Sequence, residues 1–152
     1  PEEIYERPES IYVGGFIGSP AMNFLPGQIK AGLPGIQLEN GHVLGRDQSG
    51  LHRHDGLLVQ VGLRPEQISI VPERHGDFDA RVDLVEELGS GRLFHLLVDD
   101  IPFSVLSSEK HQLSAGQMVG VSVPSKAIHL FNAATTRRLE LASVSAAQLA
   151  PV

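Results

Sequence analysis

Four places along the chain bring together side chains that could do chemistry. His52-Arg-His54 sets two imidazoles two positions apart, on one face if the segment is extended. A metal site there would need a third ligand, which Asp47, Asp55 or another histidine could supply; the simpler reading is two solvated histidines on a loop. Arg64-Pro-Glu66 follows an apolar run. Either Arg64 holds an anionic ligand at a strand end, or Pro65 opens a turn in which Glu66 pairs with Arg64 or caps a short helix. The structural turn is the favoured reading. Gly89-Ser-Gly91 is either an anion-binding nest of backbone amides or a hairpin turn using positive φ, and the turn is the commoner use of such a triplet. Glu86-Glu87 and Asp99-Asp100 offer paired carboxylates, which spacing alone does not separate from solvated strand ends.

The elements that must position these groups read as short β-strands. From Phe24 onward apolar runs at Ile36–Leu38, Val43–Leu44, Leu57–Leu63 and Ile68–Val71 alternate with Gly, Pro, Asn and Asp clusters. Asn40-Gly41 predicts a two-residue hairpin loop in which both positions take positive φ. Residues 45–56 are polar and predict a mobile surface loop. A second cluster covers Phe78–Leu88, Arg92–Val98, Ile101–Leu106, Met118–Val123 and Ile128–Phe131. Asp79, Arg81 and Asp83 alternate with Ala80, Val82 and Leu84, which predicts one wet face. Many short strands without sizeable helices between them point to small barrels or a sandwich rather than a βαβ sheet.

Ahead of the strands, residues 1–18 read as helical. Pro1 and Pro8 suit a first turn, and Tyr12, Val13, Phe16 and Ile17 recur at helical spacing. Gly18 can cap the helix and Pro20 prevents its return, while Gly14-Gly15 weakens it by about 1 kcal/mol per residue relative to Ala. Residues 19–141 form the β-domain, with two clusters divided near Pro72–Asp77, and the small-residue tail 142–152 is expected to be disordered.

Composition removes several classes of function. Twelve Lys and Arg against eighteen Asp and Glu leave a formal net charge of −6, the wrong sign for a protein that tracks nucleic-acid phosphates. No apolar run approaches the roughly 20 residues of a membrane helix. The absence of Cys excludes disulfides and thiolate metal sites. There is no Gly-x-x-x-x-Gly-Lys-Ser/Thr loop and no Gly-x-Gly-x-x-Gly after a strand, so the parts that hydrolyse ATP are missing from this sequence. The chain opens on Pro1 rather than Met, as expected of a piece of a longer protein.

One family accounts for the motifs that remain. Tyr5-Glu-Arg-Pro8, Phe16-Ile-Gly-Ser-Pro-Ala-Met-Asn23, Val61-Gly-Leu-Arg-Pro-Glu-Gln-Ile68, Val85-Glu-Glu-Leu-Gly89 and Ile128-His-Leu-Phe-Asn132 occur in order over most of the chain. Together they resemble the C-terminal regulatory (TOBE, OB-like) domain of the ATP-binding subunit of carbohydrate-importer ABC transporters, of the maltose, oligosaccharide and glycerol-phosphate type. The resemblance implies an all-β fold, OB-like barrels of two interleaved β clusters behind a short N-terminal helical segment. It implies a tether: a domain that pairs with a second copy or a sister ATP-binding subunit and holds two ATPase halves together while they open and close. It also implies a docking surface for a cytoplasmic regulatory protein. The permease subunits would be reached only through an ATPase domain that this chain lacks. The fragment would hold no cofactor, whereas its parent would use ATP and Mg at the inner face of the cell membrane. Matching the motifs residue by residue assigns Phe16, Ser19, Asn23 and Phe24 to the junction and its contact surface, Gly89 to an interface turn, and Arg64 and Glu66 to a structural turn. Two positions depart from the family pattern: Ile11 stands where a polar or basic residue is frequent, and Gly91 adds a second glycine to the turn. The motifs of molybdate- and tungstate-binding relatives are absent. A different class of function, a stand-alone OB-fold module for a sugar or an anion, would show itself as a pocket with convergent polar groups.

Overall fold

A computed structural model describes residues 20–139 apart from Ala31, Asp47, Ser49 and Lys110. The expected helix over 1–18 and the expected disordered tail over 142–152 lie outside the described residues. Ten strands make up the domain: β1 (Asn23–Ile29), β2 (Ile36–Leu38), β3 (Val43–Leu44), β4 (Leu58–Leu63), β5 (Ser69–Val71), β6 (Phe78–Leu88), β7 (Gly91–Val98), β8 (Ile101–Ser107), β9 (Met118–Ser122) and β10 (His129–Asn132). Three-residue and four-residue 3-10 turns punctuate them at Leu51–His54, Pro65–Gln67 and Ser125–Ala127.

The strands form two five-stranded antiparallel sheets, ordered β10-β4-β1-β2-β3 and β5-β9-β6-β7-β8. The chain passes from the first sheet to the second at Pro65–Gln67, since β5 already pairs with β9. That moves the expected division upstream from Pro72–Asp77. The last strand, β10, then returns to the first sheet beside β4, so the two clusters are interleaved along the chain. The core lies between the sheets: Leu25, Val61 and Leu130 from the first meet Phe78, Phe94 and Val105 from the second in one buried cluster. Phe78 and Phe103 pack edge to face with centroids 5.6 Å apart. Each large apolar side chain buried here contributes roughly 1.5–3 kcal/mol.

Strand β1 is central although Pro26-Gly27 argues against a strand interior. Its ladder to β2 covers only Gly27–Ile29, so Pro26, with no amide to donate, lies just beyond the end of that partner. At Gly27 a Cβ would meet Ile36 Cγ2 at 3.0 Å and Gln37 O at 3.1 Å, which is why the smallest residue sits there.

Three local expectations are corrected. The β2–β3 hairpin forms, but Leu38 N–H donates to His42 O across a loop of Glu39, Asn40 and Gly41, and only Gly41 has positive φ. The described residues of 45–56 are tied to the fold rather than forming a free loop. Leu51 is buried, Gln48 Nε2 donates to Ser125 O at 2.9 Å, and Gly56 N donates to Ile29 O at 2.6 Å. The alternation along β6 breaks at a bulge between Val82 and Leu84. Ala80 and Val82 are buried as expected, but the extra residue turns Leu84 outward, where it pairs with His95 and is 55% exposed.

Candidate functional site

Of the residues that motif matching assigns to the junction, the structure describes Asn23 and Phe24, neighbours that face opposite sides of their sheet. Period-2 alternation along β1 sends Leu25 and Ile29 into the core and Phe24, Pro26 and Gln28 to the other face. Asn23 is 7% exposed and reaches across to the other sheet. Its Nδ2 donates to Ser104 O at 2.8 Å, and its Oδ1 accepts from Ser104 N at 2.7 Å. β8 is the last strand of its sheet, and the Asn23 carboxamide satisfies there the backbone N–H and C=O of Ser104, as one residue of a neighbouring strand would.

Phe24 is half-buried on the outer face of the first sheet. It packs edge to face with Phe131 at 5.9 Å, over Gly62, which pairs with Phe24 on one side and His129 on the other. A Cβ on Gly62 would stand 2.7 Å from Met22 Sδ and 2.9 Å from Phe131 Cε2, so the glycine lets this small apolar cluster settle onto the sheet. His129 is buried beside it, with Nδ1 2.8 Å from Arg138 Nη1, so Nδ1 accepts and the ring proton sits on Nε2. Arg138 belongs to a short return: Asn132 Oδ1 accepts from Ala134 N and Thr135 N, the chain reverses, and Arg138 bridges back to Phe131. The Asn132-Ala-Ala-Thr run is the one local signal that foretells this turn. Phe16 and Ser19 lie outside the described residues.

The remaining sequence candidates are scattered. Arg64 is 1% exposed at the head of the Pro65–Gln67 turn, while Glu66 is exposed in its first turn. Nothing in the sequence signals that burial, because an arginine at a strand end is ordinarily solvated. Gly89 and Ser90 form the two-residue loop joining Leu88 to Gly91. Neither glycine of the triplet has positive φ, contrary to the expected turn chemistry. Gly89 faces open space, whereas a Cβ on Gly91 would lie 2.6 Å from Ser107 O.

Glu87 pairs with Arg92, and Glu86 sits 3.1 Å from the His95 ring. Asp99 and Asp100 form the turn at the opposite end of β7, with φ of 47° and 70°. The two acidic pairs are therefore about 20 Å apart along the strand, too far to act on one bond. His52 and His54 stand on a 3-10 turn, where positions two apart point in different directions, and Asp47 is not among the described residues. Among the described residues no group of three or more His, Cys, Asp or Glu is placed to hold a metal.

Among the described residues the surface carries several recesses, of which three adjoin the strands above. The first, about 500 Å³, lies over β1, β2 and β4 and is lined by Gln28, Lys30, Gln37, Leu58 and Gln60 among others. A smaller one of about 110 Å³ adjoins it through Pro26, Leu38 and Glu39 and reaches Asp99 and Ile101 of the second sheet. The third, about 350 Å³, shares Asp99 and continues over Asp79, Arg81, Leu97 and Met118. No helix among the described residues is long and apolar enough to cross a membrane.

The MalK OB fold domain matches residues 18–68 and the TOBE domain matches residues 61–131, so the two overlap over residues 61–68, at the crossover between the sheets. Similar relatives include the sn-glycerol-3-phosphate import ATP-binding proteins UgpC 2 of Agrobacterium fabrum and UgpC of Jannaschia sp. The first is 37% identical over 140 residues, covering 92% of this chain and 37% of that protein. The second is 40% identical over 139 residues, covering 91% of this chain and 38% of that protein. UgpC of Salmonella choleraesuis is 36% identical over 141 residues, covering 91% and 39%. The chain thus spans less than two-fifths of the length of these relatives. Among solved structures, the molybdate-binding protein ModG with molybdate bound aligns with TM-score 0.49 and 14% identity over 71% of this chain and 94% of its own.

Proposed function

Because the chain belongs to the family of TOBE and MalK-type OB-fold domains of sugar-importer ATP-binding proteins, we propose that it is the regulatory and dimerisation domain of such a subunit. In this reading the domain tethers two ATP-binding halves at the cytoplasmic face of a membrane and performs no ATP hydrolysis itself. The observation that carries it is the match of 92% of this chain to 37% of an import ATP-binding protein. The sequence supports the division of labour, since it has no loop to cradle nucleotide phosphates.

The mechanism is mechanical. A tether must transmit force without deforming, and the Asn23–Ser104 clamp joins the first strand of one sheet to the edge of the other. Phe16, Ser19, Asn23 and Phe24 form the junction with the ATPase half, Asn23 by holding β1 to β8 and Phe24 by presenting its outer face. Gly89, at the tip of the β6–β7 arm, meets the second copy or sister subunit. Arg64 and Glu66 keep the crossover turn in shape. A cytoplasmic regulator docking on this domain would bias the open or closed state of the pair.

The test is the mass of the chain in solution from micromolar to millimolar concentration, by light scattering after gel filtration. A concentration-dependent dimer that Gly89→Arg abolishes supports the reading, because the open space at Gly89 lets the fold tolerate the larger side chain. Phe24→Asp is the companion variant, read only with its unfolding midpoint, since Phe24 also packs on Phe131. A dimer that survives both variants in folded form refutes the assignment of these residues.

A further inference from the structure

The recess of about 500 Å³ over β1, β2 and β4 gathers uncharged polar side chains from three strands. Strand register builds it. Gln28 of β1 stands opposite Gln37 of β2 on one side and Leu58 of β4 on the other, and in the next row Gln60 of β4 stands opposite Pro26 of β1. Alternation turns all five to the outer face of the sheet, with the three glutamines half-buried. Direct cross-strand neighbours lie about 5 Å apart and diagonal ones about 7–8 Å, so a ligand of one or two rings lying over Gln28 reaches Gln37 and Gln60 as well.

These carboxamides have bonding capacity to spare. Gln28 Nε2 donates to Gly56 O at 3.2 Å, which leaves its Oε1 as an acceptor. Among the described residues no protein hydrogen bond engages the side chain of Gln37 or Gln60. Each carboxamide can offer two N–H donors and an acceptor oxygen. Lys30 and Glu39 are the charged residues of the lining, and they cancel. Leu58, 59% exposed, and Pro26 supply an apolar wall.

We propose that this recess binds a neutral polyhydroxylated ligand, a mono- or disaccharide. Sugar hydroxyls both donate and accept, as the carboxamides do, and the C–H face of the ring lies on Leu58 and Pro26. Charge selects against the alternatives. A phosphate or carboxylate ligand would meet a single lysine with a glutamate on the same lining, and a nucleic acid would meet a chain of net charge −6. The proposal goes beyond the tether reading and does not depend on it, since the recess belongs to the domain alone.

The probes are glucose and maltose, titrated separately into the isotope-labelled 152-residue chain while the glutamine side-chain amide signals are followed by NMR. Saturable shifts at Gln28, Gln37 and Gln60 with one common Kd of about 1–10 mM are expected for at least one of the two sugars. Gln37→Ala with Gln60→Ala should weaken binding at least about ten-fold, read from the Gln28 signal. Leu58→Ser should weaken it about three-fold. Gln112→Ala, at an exposed position outside the recess, should change it less than about two-fold. Unfolding midpoints confirm that each variant is folded. Shifts that never saturate with either sugar, that lie outside the recess, or that persist in the folded double variant overturn the proposal. Tighter binding of glucose phosphate than of either sugar, lost in Lys30→Ala, also overturns it, since the site then reads an anion.

Discussion

Replacing Asn23 with Ala removes both ends of the clamp on Ser104 at once. The lost carboxamide made hydrogen bonds of 2.8 and 2.7 Å to the backbone of a residue 81 positions away, in a part-buried setting. Each bond contributes about 1 kcal/mol net, and leaving a buried backbone donor or acceptor unsatisfied costs about 1–3 kcal/mol. Water reaches part of the opened edge of β8, so the expected loss is about 2–4 kcal/mol, a large share of the roughly 5–15 kcal/mol that holds a domain folded. With a urea m-value of about 1–3 kcal/mol per molar, the unfolding midpoint should fall by about 1–2 M. Asn23→Asp should be no milder, since it keeps the acceptor for Ser104 N but turns a carboxylate oxygen toward Ser104 O. Urea unfolding followed by circular dichroism measures the midpoint, and hydrogen exchange at the Ser104 amide localises the effect. A stability loss below about 0.5 kcal/mol, or unchanged protection at the Ser104 amide, would refute the claim that this one side chain satisfies the β8 backbone at Ser104.

Other substitutions separate backbone geometry from packing. Asp100→Gly relieves a non-glycine φ of 70° in the β7–β8 turn and should raise stability by about 0.5–1 kcal/mol, seen as a thermal midpoint about 2–4 °C higher. Gly91→Ala should cost about 1–3 kcal/mol because its Cβ would stand 2.6 Å from Ser107 O, while Gly89→Ala, facing open space, should fall within about 0.5 kcal/mol of the parent; paired denaturation curves decide. Gly62→Ala should likewise cost about 1–3 kcal/mol by driving Phe131 and Met22 off the sheet, with a change in the near-ultraviolet phenylalanine signal.

Local chemistry carries through wherever a strand is bounded by its own turn residues. β6, β7 and β8 were legible from alternation and from the Gly-Ser and Asp-Asp punctuation between them. The central place of β1 was not legible, since Pro26-Gly27 argues against a central strand until the ladder to β2 is seen to begin at Gly27. The outward turn of Leu84 was hidden because a bulge is set by the partner strand's register, which no window of β6 contains. Asn23 could be matched to a motif, but its duty could not: its partner is 81 residues away. The burial of Arg64 was equally invisible, since burial depends on what packs above a residue.

The sequence by itself determined the all-β class, most strand positions, the lack of phosphate-binding machinery and the family, because alternation, turn residues and contiguous motifs are properties of short windows. Tertiary structure alone decided that β10 rejoins the first sheet and that the Asn23 side chain bonds both backbone groups of Ser104 on β8. Those are contacts between residues distant along the chain, and their energies depend on register and burial that exist only once both sheets have closed on one core.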